Sequence, residues 1–293
     1  MGYAFDWVDA FAEGAFGGNG CVVVHGGAAL TIDQRLALVR ETSLAECAYM
    51  VGSDVADFGV RYYLADKEIP MAGHPTIATV ASLLDRGMID LTDGQATFTL
   101  EVGAGVLPIH VDGDMITMTQ MAPEFGRVFD PAVIADIYGL AAADIIAPPQ
   151  VVSTGTPFCV TVLKDKTALK RAKLDIPKLE AFRAASATTR ADLMEPFLVT
   201  LGGETATGDT FSRLLLAPPS LPEDPFTGSA TGCMAAYLWH HGLIDYPEFV
   251  AEQGHWLGRV GQAQVPVLGP RDNITGVKLG GKGYVLMRGE LAI

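Results

Sequence analysis

A carboxylate set inside an apolar run is the first pattern in this sequence that could do chemistry. Glu46 lies in Leu44-Ala45-Glu46-Cys47-Ala48-Tyr49-Met50-Val51, which reads as a strand. Burying an ionised carboxylate there is costly unless it is paired, so its acid constant shifts toward neutrality. A glutamate tuned in that way can take up a proton and return it. The position also suits a structural ion-pair partner, or a solvent-facing residue of a half-buried strand. His74 follows Gly73 and precedes Pro75. Its ring can donate a hydrogen bond to an anion, share a proton transfer, or bond the backbone at a helix start. Asp224 precedes Pro225, a common turn pair. Gly228 and Ser229 offer backbone N–H groups and a hydroxyl at a second helix start, where the helix dipole favours negative charge, and Gly73 does the same at the first. Arg259, between Gly258 and Gly261, suits either a place beside such a site or a salt bridge that stabilises the fold.

The elements that must position these groups come from a duplication. Glu68-Ile-Pro-Met-Ala-Gly-His-Pro-Thr76 matches Glu223-Asp-Pro-Phe-Thr-Gly-Ser-Ala-Thr231 at an offset of 155 (223 minus 68), and the match runs ungapped to Asp90 and Asp245. Nine of these 23 positions are identical: Glu68, Pro70, Gly73, Thr76, Ala81, Leu83, Gly87, Ile89 and Asp90 recur in the second copy. Each copy reads as a loop, a glycine and a helix. In the first, Pro75 suits the opening turn, Ile77, Val80, Ala81 and Leu84 share one face, and Gly87 suits a left-handed end. The second, Thr231 to His240, is small and apolar all round, which fits a helix enclosed by a sheet.

Short strand-like segments surround these helices. They are 21–24, 59–64, 96–102, 106–111 and 115–118, then 158–163, 197–201, 212–216, 264–268 and 284–288, with a hairpin turn at Asp112-Gly113. Further helices are expected over 31–40, capped by Thr31, and over 131–140 and 176–185. The expected fold is α+β: two pseudo-symmetric domains, each a curved mixed sheet or barrel around a central buried helix. The boundary falls near Gln120 to Gly126, at Pro123, giving domains 1–120 and 121–293, with the last strand around 284–293 able to return to the first. The site then lies between the domains, where the two glycine–helix starts face each other.

Composition excludes other classes. The 293 residues carry 20 Lys+Arg against 34 Asp+Glu, a net charge of -14, so the surface repels nucleic acid and anionic lipid. An anionic substrate must then be held by local devices. No apolar run is long enough for a membrane helix and no signal peptide is recognisable, so a cytoplasmic location is expected. Cys21, Cys47, Cys159 and Cys233 are scattered, which favours buried reduced thiols over a zinc site or disulfides. No dinucleotide-binding glycine pattern or phosphate-binding loop stands in the required context, so no cofactor and no metal are expected.

Several blocks together resemble the PhzF-like family. They are Phe16-Gly17-Gly18-Asn19, Ser43-Leu44-Ala45-Glu46, Gly73-His74-Pro75-Thr76, Ser153-Thr154-Gly155, Glu223 to Ala230, Glu252-Gln253-Gly254 and Gly258-Arg259-Val260-Gly261, in order along essentially the whole chain. The resemblance implies a diaminopimelate epimerase-like fold and a cofactor-independent isomerase. Its acid/base would be Glu46, assisted by His74, with Asp224 contacting the substrate's amine or hydroxyl. Gly18, Asn19, Gly73, Gly228 and Ser229 would bind a small anionic substrate. The family's name reaction moves a hydrogen between two carbons of trans-2,3-dihydro-3-hydroxyanthranilate in phenazine biosynthesis, and family members are often homodimers. Racemases of the wider fold carry a cysteine before each helix-starting glycine. Here those positions hold Ala72 and Thr227, neither of which ionises near neutral pH, which argues against the two-thiol mechanism. Ala45-Glu46-Cys47 departs from the family's Ser-Glu-Thr, so a different pocket wall is expected. The alternatives are an epimerase, racemase or dehydratase of a small amino or hydroxy acid, and a non-catalytic small-anion-binding protein.

Overall fold

A computed structural model of the chain describes residues 2–186 and 196–293. The first half runs β1 (Gly2–Ala10), β2 (Asn19–Val24), α1 (Ile32–Thr42), β3 (Glu46–Val51), β4 (Phe58–Tyr63), β5 (Glu68–Ile69), α2 (Gly73–Asp85), β6 (Gln95–Val102), β7 (Gly105–Asp112) and β8 (Met115–Gln120). The rest runs β9 (Glu124–Val128), α3 (Pro131–Ile137), β10 (Gln150–Ser153), β11 (Pro157–Leu163), α4 (Lys166–Arg171), α5 (Ile176–Ser186), β12 (Pro196–Leu201), β13 (Thr210–Leu215), β14 (Glu223–Asp224), α6 (Gly228–His240), β15 (Glu248–Gln253), β16 (Gly261–Leu268), β17 (Gly276–Gly281) and β18 (Gly283–Ala292).

Local chemistry accounts for the regular pieces. Strand β7 alternates buried and exposed residues, as a sheet with one face on a core requires. Helix α1 opens with a capping box, in which the Thr31 hydroxyl accepts from the Gln34 N–H and the Gln34 side chain accepts from the Thr31 N–H. Gly87 and Gly242 are left-handed, with φ of 64° and 67°, just after the two central helices.

The duplication is visible strand by strand. In the first half β1–β2 is antiparallel, β2–β3 parallel, β3–β4 antiparallel, β4–β6 parallel, and β6–β7–β8 antiparallel. The second half repeats this order with β10, β11, β12, β13, β15, β16 and β17. The two-residue strands β5 and β14 turn back on β4 and β13 immediately before α2 and α6. Strand β18 pairs with β1 as β9 pairs with β10, so each half ends by lending a strand to the other. The two sheets join where β8 lies antiparallel to β17, with Val277 opposite Gln120.

Helix α2 packs against β1, β2, β3, β8 and β18, and α6 against β10, β11, β12, β16 and β17. The sequence spacing suggests an apolar stripe on α2, yet residues 73–83 are buried without interruption. The sheet encloses this helix as completely as it does α6, and its polar residues bond inward. Thr76 and Thr79 hydroxyls donate to the carbonyls of Ala72 and Pro75, one turn back.

The two helix starts touch. A Cβ built on Gly73 would stand 2.7 Å from Gly228 Cα and 2.9 Å from Ser229 N, both backbone atoms that cannot rotate aside. Gly73→Ala is therefore expected to cost about 1–3 kcal/mol and to lower the melting temperature by several degrees. Gly52→Ala, whose Cβ would meet nothing within 4 Å, serves as the control and should leave it unchanged. Equal melting temperatures for the two variants in calorimetry would mean that the helix starts are not in contact.

Candidate active site

Strand β3 sends alternate residues to opposite sides of the sheet. Cys47 faces the α1 side, where it packs with Tyr49 and Tyr63 and lies 3.7 Å from the Thr42 hydroxyl. Burial pushes its thiol up to about 12, so it stays protonated. All four cysteines are free and buried. Glu46 faces the other way, toward the two helix starts. Its Oε2 lies 3.7 Å from His74 Nδ1. That oxygen is buried and has no hydrogen-bond partner among the described residues, and the same holds for His74 Nε2.

Asn19, at the head of β2, ties this pair to the second half. Its side-chain N–H group donates to Asp224 Oδ1 at 2.8 Å and to the Phe226 carbonyl at 2.9 Å, and it lies 3.2 Å from His74 Nδ1. The Thr227 hydroxyl donates to the other Asp224 oxygen at 2.6 Å. Gln253, at the end of β15, accepts from the Thr227 N–H at 3.0 Å and donates to the Asp224 carbonyl at 2.8 Å. Phe226 stacks on Phe11 of the first half with ring centroids 4.6 Å apart.

The helix termini add positive potential to the same spot. Ala72 and Thr227 are the N-caps of α2 and α6, and neither helix has a side-chain cap. The first N–H groups of a helix have no intrahelical acceptor, so both ends are open to an anion. The Ser229 hydroxyl makes no hydrogen bond among the described residues and is half-buried. Gly18 has φ of 50°, a Cβ there would run into the backbone of Ala10 and Ala12, and its carbonyl accepts from Arg259. Arg259 also donates to the Gly17 carbonyl at 2.8 Å and to Asp9 Oδ1 at 2.6 Å, while Asp9 Oδ2 accepts from the Phe16 N–H. The guanidinium thus anchors the β1–β2 connection that carries Asn19.

Electrostatics separates the roles of the three titratable groups. Burial, reinforced by the negative charge of Asp224, raises the Glu46 carboxyl well above its ordinary value. Burial also raises Asp224, to about 6, against the hydrogen bonds from Thr227 and Asn19 that lower it. Burial and the Arg259 charge push His74 down to about 3, which leaves the imidazole neutral at physiological pH. The arrangement therefore holds two carboxyls raised by burial, a neutral histidine with an unused ring nitrogen, and two helix ends.

Glu46, His74, Asn19, Asp224, Gly73 and Gly228 come together from both halves, with Ser229 beside Gly73 and Gly18 one residue behind. Sequence reasoning did not single out Gln253, Thr227 as a hydroxyl donor, or Asp9. The signal for Gln253 lay within the Glu252-Gln253-Gly254 block, and that for Asp9 was a carboxylate in the apolar stretch Trp7-Val8-Asp9-Ala10-Phe11. Two surface clefts, one by His25, Met50 and Met88 and one by Asp90, Thr97 and His110, share no residue with the cluster. Among the described residues no group of three or more His, Cys, Asp or Glu side chains is arranged to hold a metal ion. No helix among them is long and apolar enough to cross a membrane.

Residues 8–289 match the family model of phenazine biosynthesis-like proteins, PhzC-PhzF. The chain belongs to this family. It is 30% identical over 299 residues to the uncharacterized isomerase YddE of Escherichia coli strain K12, covering 98% of this chain and 97% of that protein. It is 24% identical over 294 residues to the trans-2,3-dihydro-3-hydroxyanthranilate isomerase of Pseudomonas chlororaphis, covering 98% of each. Among solved structures it is similar to a PhzF-family phenazine biosynthesis protein of Bacillus anthracis, with a TM-score of 0.86, 24% identity and full coverage of both chains. The protein is thus an enzyme of the isomerase class on a PhzF-type fold.

Proposed function

We propose that this PhzF-family isomerase moves a proton between two carbons of a small carboxylate-bearing substrate, with Glu46 as the single acid/base. The observation that carries the reading is the pair of buried, unpartnered polar atoms, Glu46 Oε2 and His74 Nε2, beside two uncapped helix starts. Leaving such atoms without partners costs stability in a folded protein, so each is placed to bond something the chain itself does not supply. A substrate carboxylate lies on the N–H groups at Gly73 and Gly228 and on the Ser229 hydroxyl. Asp224 orients an amine or hydroxyl, and Glu46 reaches the carbon-bound hydrogen. Ala72 and Thr227 leave no thiol on either side of that carbon, so removal and return of the proton fall to one group. Asn19 from the first half and Asp224 and Phe226 from the second are hydrogen-bonded across the site.

Incubation in D₂O with a panel of small cyclic and acyclic amino and hydroxy acids, dihydrohydroxyanthranilate included, tests the reading by NMR. Carbon-bound deuterium, or an isomerised product, is the expected result. Tight binding of a panel member with no exchange would replace it with the anion-binding alternative.

The same carboxyl predicts a pH-dependent stability difference. Glu46 ionises in the unfolded chain near 4.5 and later in the folded one, so the folded state holds the proton more tightly. A raised carboxyl contributes stability that is complete below the unfolded value and lost as pH rises through the folded one. Glu46→Gln should therefore melt above the wild type at pH 7 to 8, with the gap closing as the pH falls toward about 4. No gap at any pH, in parallel calorimetric scans, would place Glu46 in contact with solvent, and a gap of opposite sign would place it against a cation.

A further inference from the structure

The hydrogen bonds behind the site have directions, and together they fix where the His74 proton sits. Gln253 Oε1 accepts from the Thr227 N–H, so its amide nitrogen must point the other way, donating to the Asp224 carbonyl and, at 3.2 Å, to the Thr227 hydroxyl oxygen. With its oxygen engaged as an acceptor there, Thr227 directs its own proton to Asp224 Oδ2. The remaining Asp224 oxygen and the Phe226 carbonyl are both acceptors, and both face the same atom of Asn19. A flipped Asn19 would set its carbonyl oxygen against these two oxygens at under 3 Å, so the group there must be the NH₂. That NH₂ is what His74 Nδ1 meets at 3.2 Å. A hydrogen on Nδ1 would face the Asn19 amide nitrogen, which accepts no hydrogen bond, and Glu46 Oε2 is 3.7 Å away, beyond hydrogen-bond range.

We propose that Gln253, Thr227, Asp224 and Asn19 form a directional relay that holds His74 as the Nε2–H tautomer, with Asn19 and Gln253 acting as positioning residues. The ring then presents a single donor to the site at the unpartnered Nε2. It serves a substrate oxygen that is negative or becomes so during proton transfer, and it neither accepts a substrate hydroxyl proton nor relays one through the ring. The second half of the duplication thereby sets the chemistry of a residue in the first. The inference builds on the proposed role of the site, but its test needs neither substrate nor turnover, so the two can fail separately.

The measurement is long-range ¹H–¹⁵N correlation NMR of the histidine rings in the full-length, unliganded protein, with His74 assigned through its loss in His74→Gln. The wild type should show a protonated Nε2 and an unprotonated Nδ1 at pH 7, unchanged down to about pH 5. Asn19→Ala and Gln253→Leu should each convert this to a mixture of tautomers. Gln253→Glu, which keeps the acceptor but loses the donor, should do so as well. An Nδ1-protonated or cationic ring in the wild type overturns the proposal without any variant. A wild-type pattern retained in the folded variants overturns the role given to Asn19 and Gln253.

Discussion

Glu46→Gln should reduce substrate deuterium exchange by about 10²–10⁴-fold while substrate still binds. Glutamine keeps the volume of the side chain and its ability to hydrogen-bond, so packing in β3 is preserved, but it cannot accept a proton. The residue stands one position before Cys47, whose protonated thiol faces the other side of the sheet and offers no substitute base. His74 cannot replace it either. Its low basicity, imposed by burial and by Arg259, makes it a poor base, and Asp224 is already bonded to Thr227 and Asn19. The decisive comparison is exchange rate against binding affinity for the same ligand. A variant that binds and exchanges like the wild type removes Glu46 from the chemistry and leaves the fold assignment untouched. One that loses binding and exchange in equal measure makes it a binding group.

The pH profile of the wild-type exchange rate should carry the mark of the same environment. A base raised by burial stays protonated further up the pH scale, so the rate should climb through an inflection above the ordinary 4.5 of a glutamate. The shift is useful as well as costly. A carboxyl held closer to neutrality is a stronger base when it takes the proton, and both of its protonation states are populated near physiological pH, so the proton can also be given back.

What could be read from the sequence was whatever depends on near neighbours. The glycine–helix starts, the carboxylate inside an apolar strand and the left-handed helix ends each show in a few consecutive residues. The repeat then implied that Gly73 and Gly228 are equivalent, and the structure places them in contact. Elements that depend on distant partners were not visible. Strand β1 does not show in the sequence because Asp6 and Asp9 interrupt its apolar pattern, and their partners, Arg86 and Arg259, are 80 and 250 residues away. Strand β17, Gly276-Val-Lys-Leu-Gly-Gly281, looks like a loop because of its glycines. Gly281 is small for a tertiary reason, since a Cβ there would lie 2.3 Å from the Phe11 ring. The burial of α2 on every side was hidden too, because Thr76, Thr79 and Ser82 read as an exposed face until their bonds to backbone, Tyr62 and Asp6 are seen.

The asymmetry of the two copies supports the proposed single-base reading. The shared frame supplies two helix starts, and the differences supply the chemistry. Where the first copy has Ile69 the second has Asp224, and where the second has Ser229 the first has His74. Asn19 then joins the two unlike groups across the halves. A symmetric pair of acids would favour taking a proton from one face and returning it to the other. One base flanked by a neutral donor and a bonded carboxylate, as proposed for Glu46, would favour returning it to a different atom on the same face.

The far end of α2 carries the largest expected loss of stability. Asp6 is completely buried in β1, and Arg86, just past the helix, grips it with two bonds of 2.6 and 2.8 Å. Ser82 donates to the same carboxylate at 2.6 Å, and His25 lies 3.2 Å from it. Burial alone would raise Asp6, but the hydrogen bonds of Arg86 and Ser82 and the charge of Arg86 bring it below its ordinary value. Arg86→Ala leaves a carboxylate in the interior with no full cation, and removing one partner of a buried pair costs about 3–5 kcal/mol. The deficit has a pH signature. Without Arg86 the Asp6 carboxyl becomes a raised acid, so the variant should regain stability as the pH falls and that carboxyl takes a proton. Adding Asp6→Asn to Arg86→Ala should restore part of the loss at pH 7, because no buried charge then remains. Urea unfolding at pH 5 and pH 8 reads all three proteins. A single-variant loss below about 1 kcal/mol would put the pair in the class of solvent-screened surface bridges. If the loss is as expected, exchange activity should fall with it, since the helix that Arg86 anchors carries His74 at its other end.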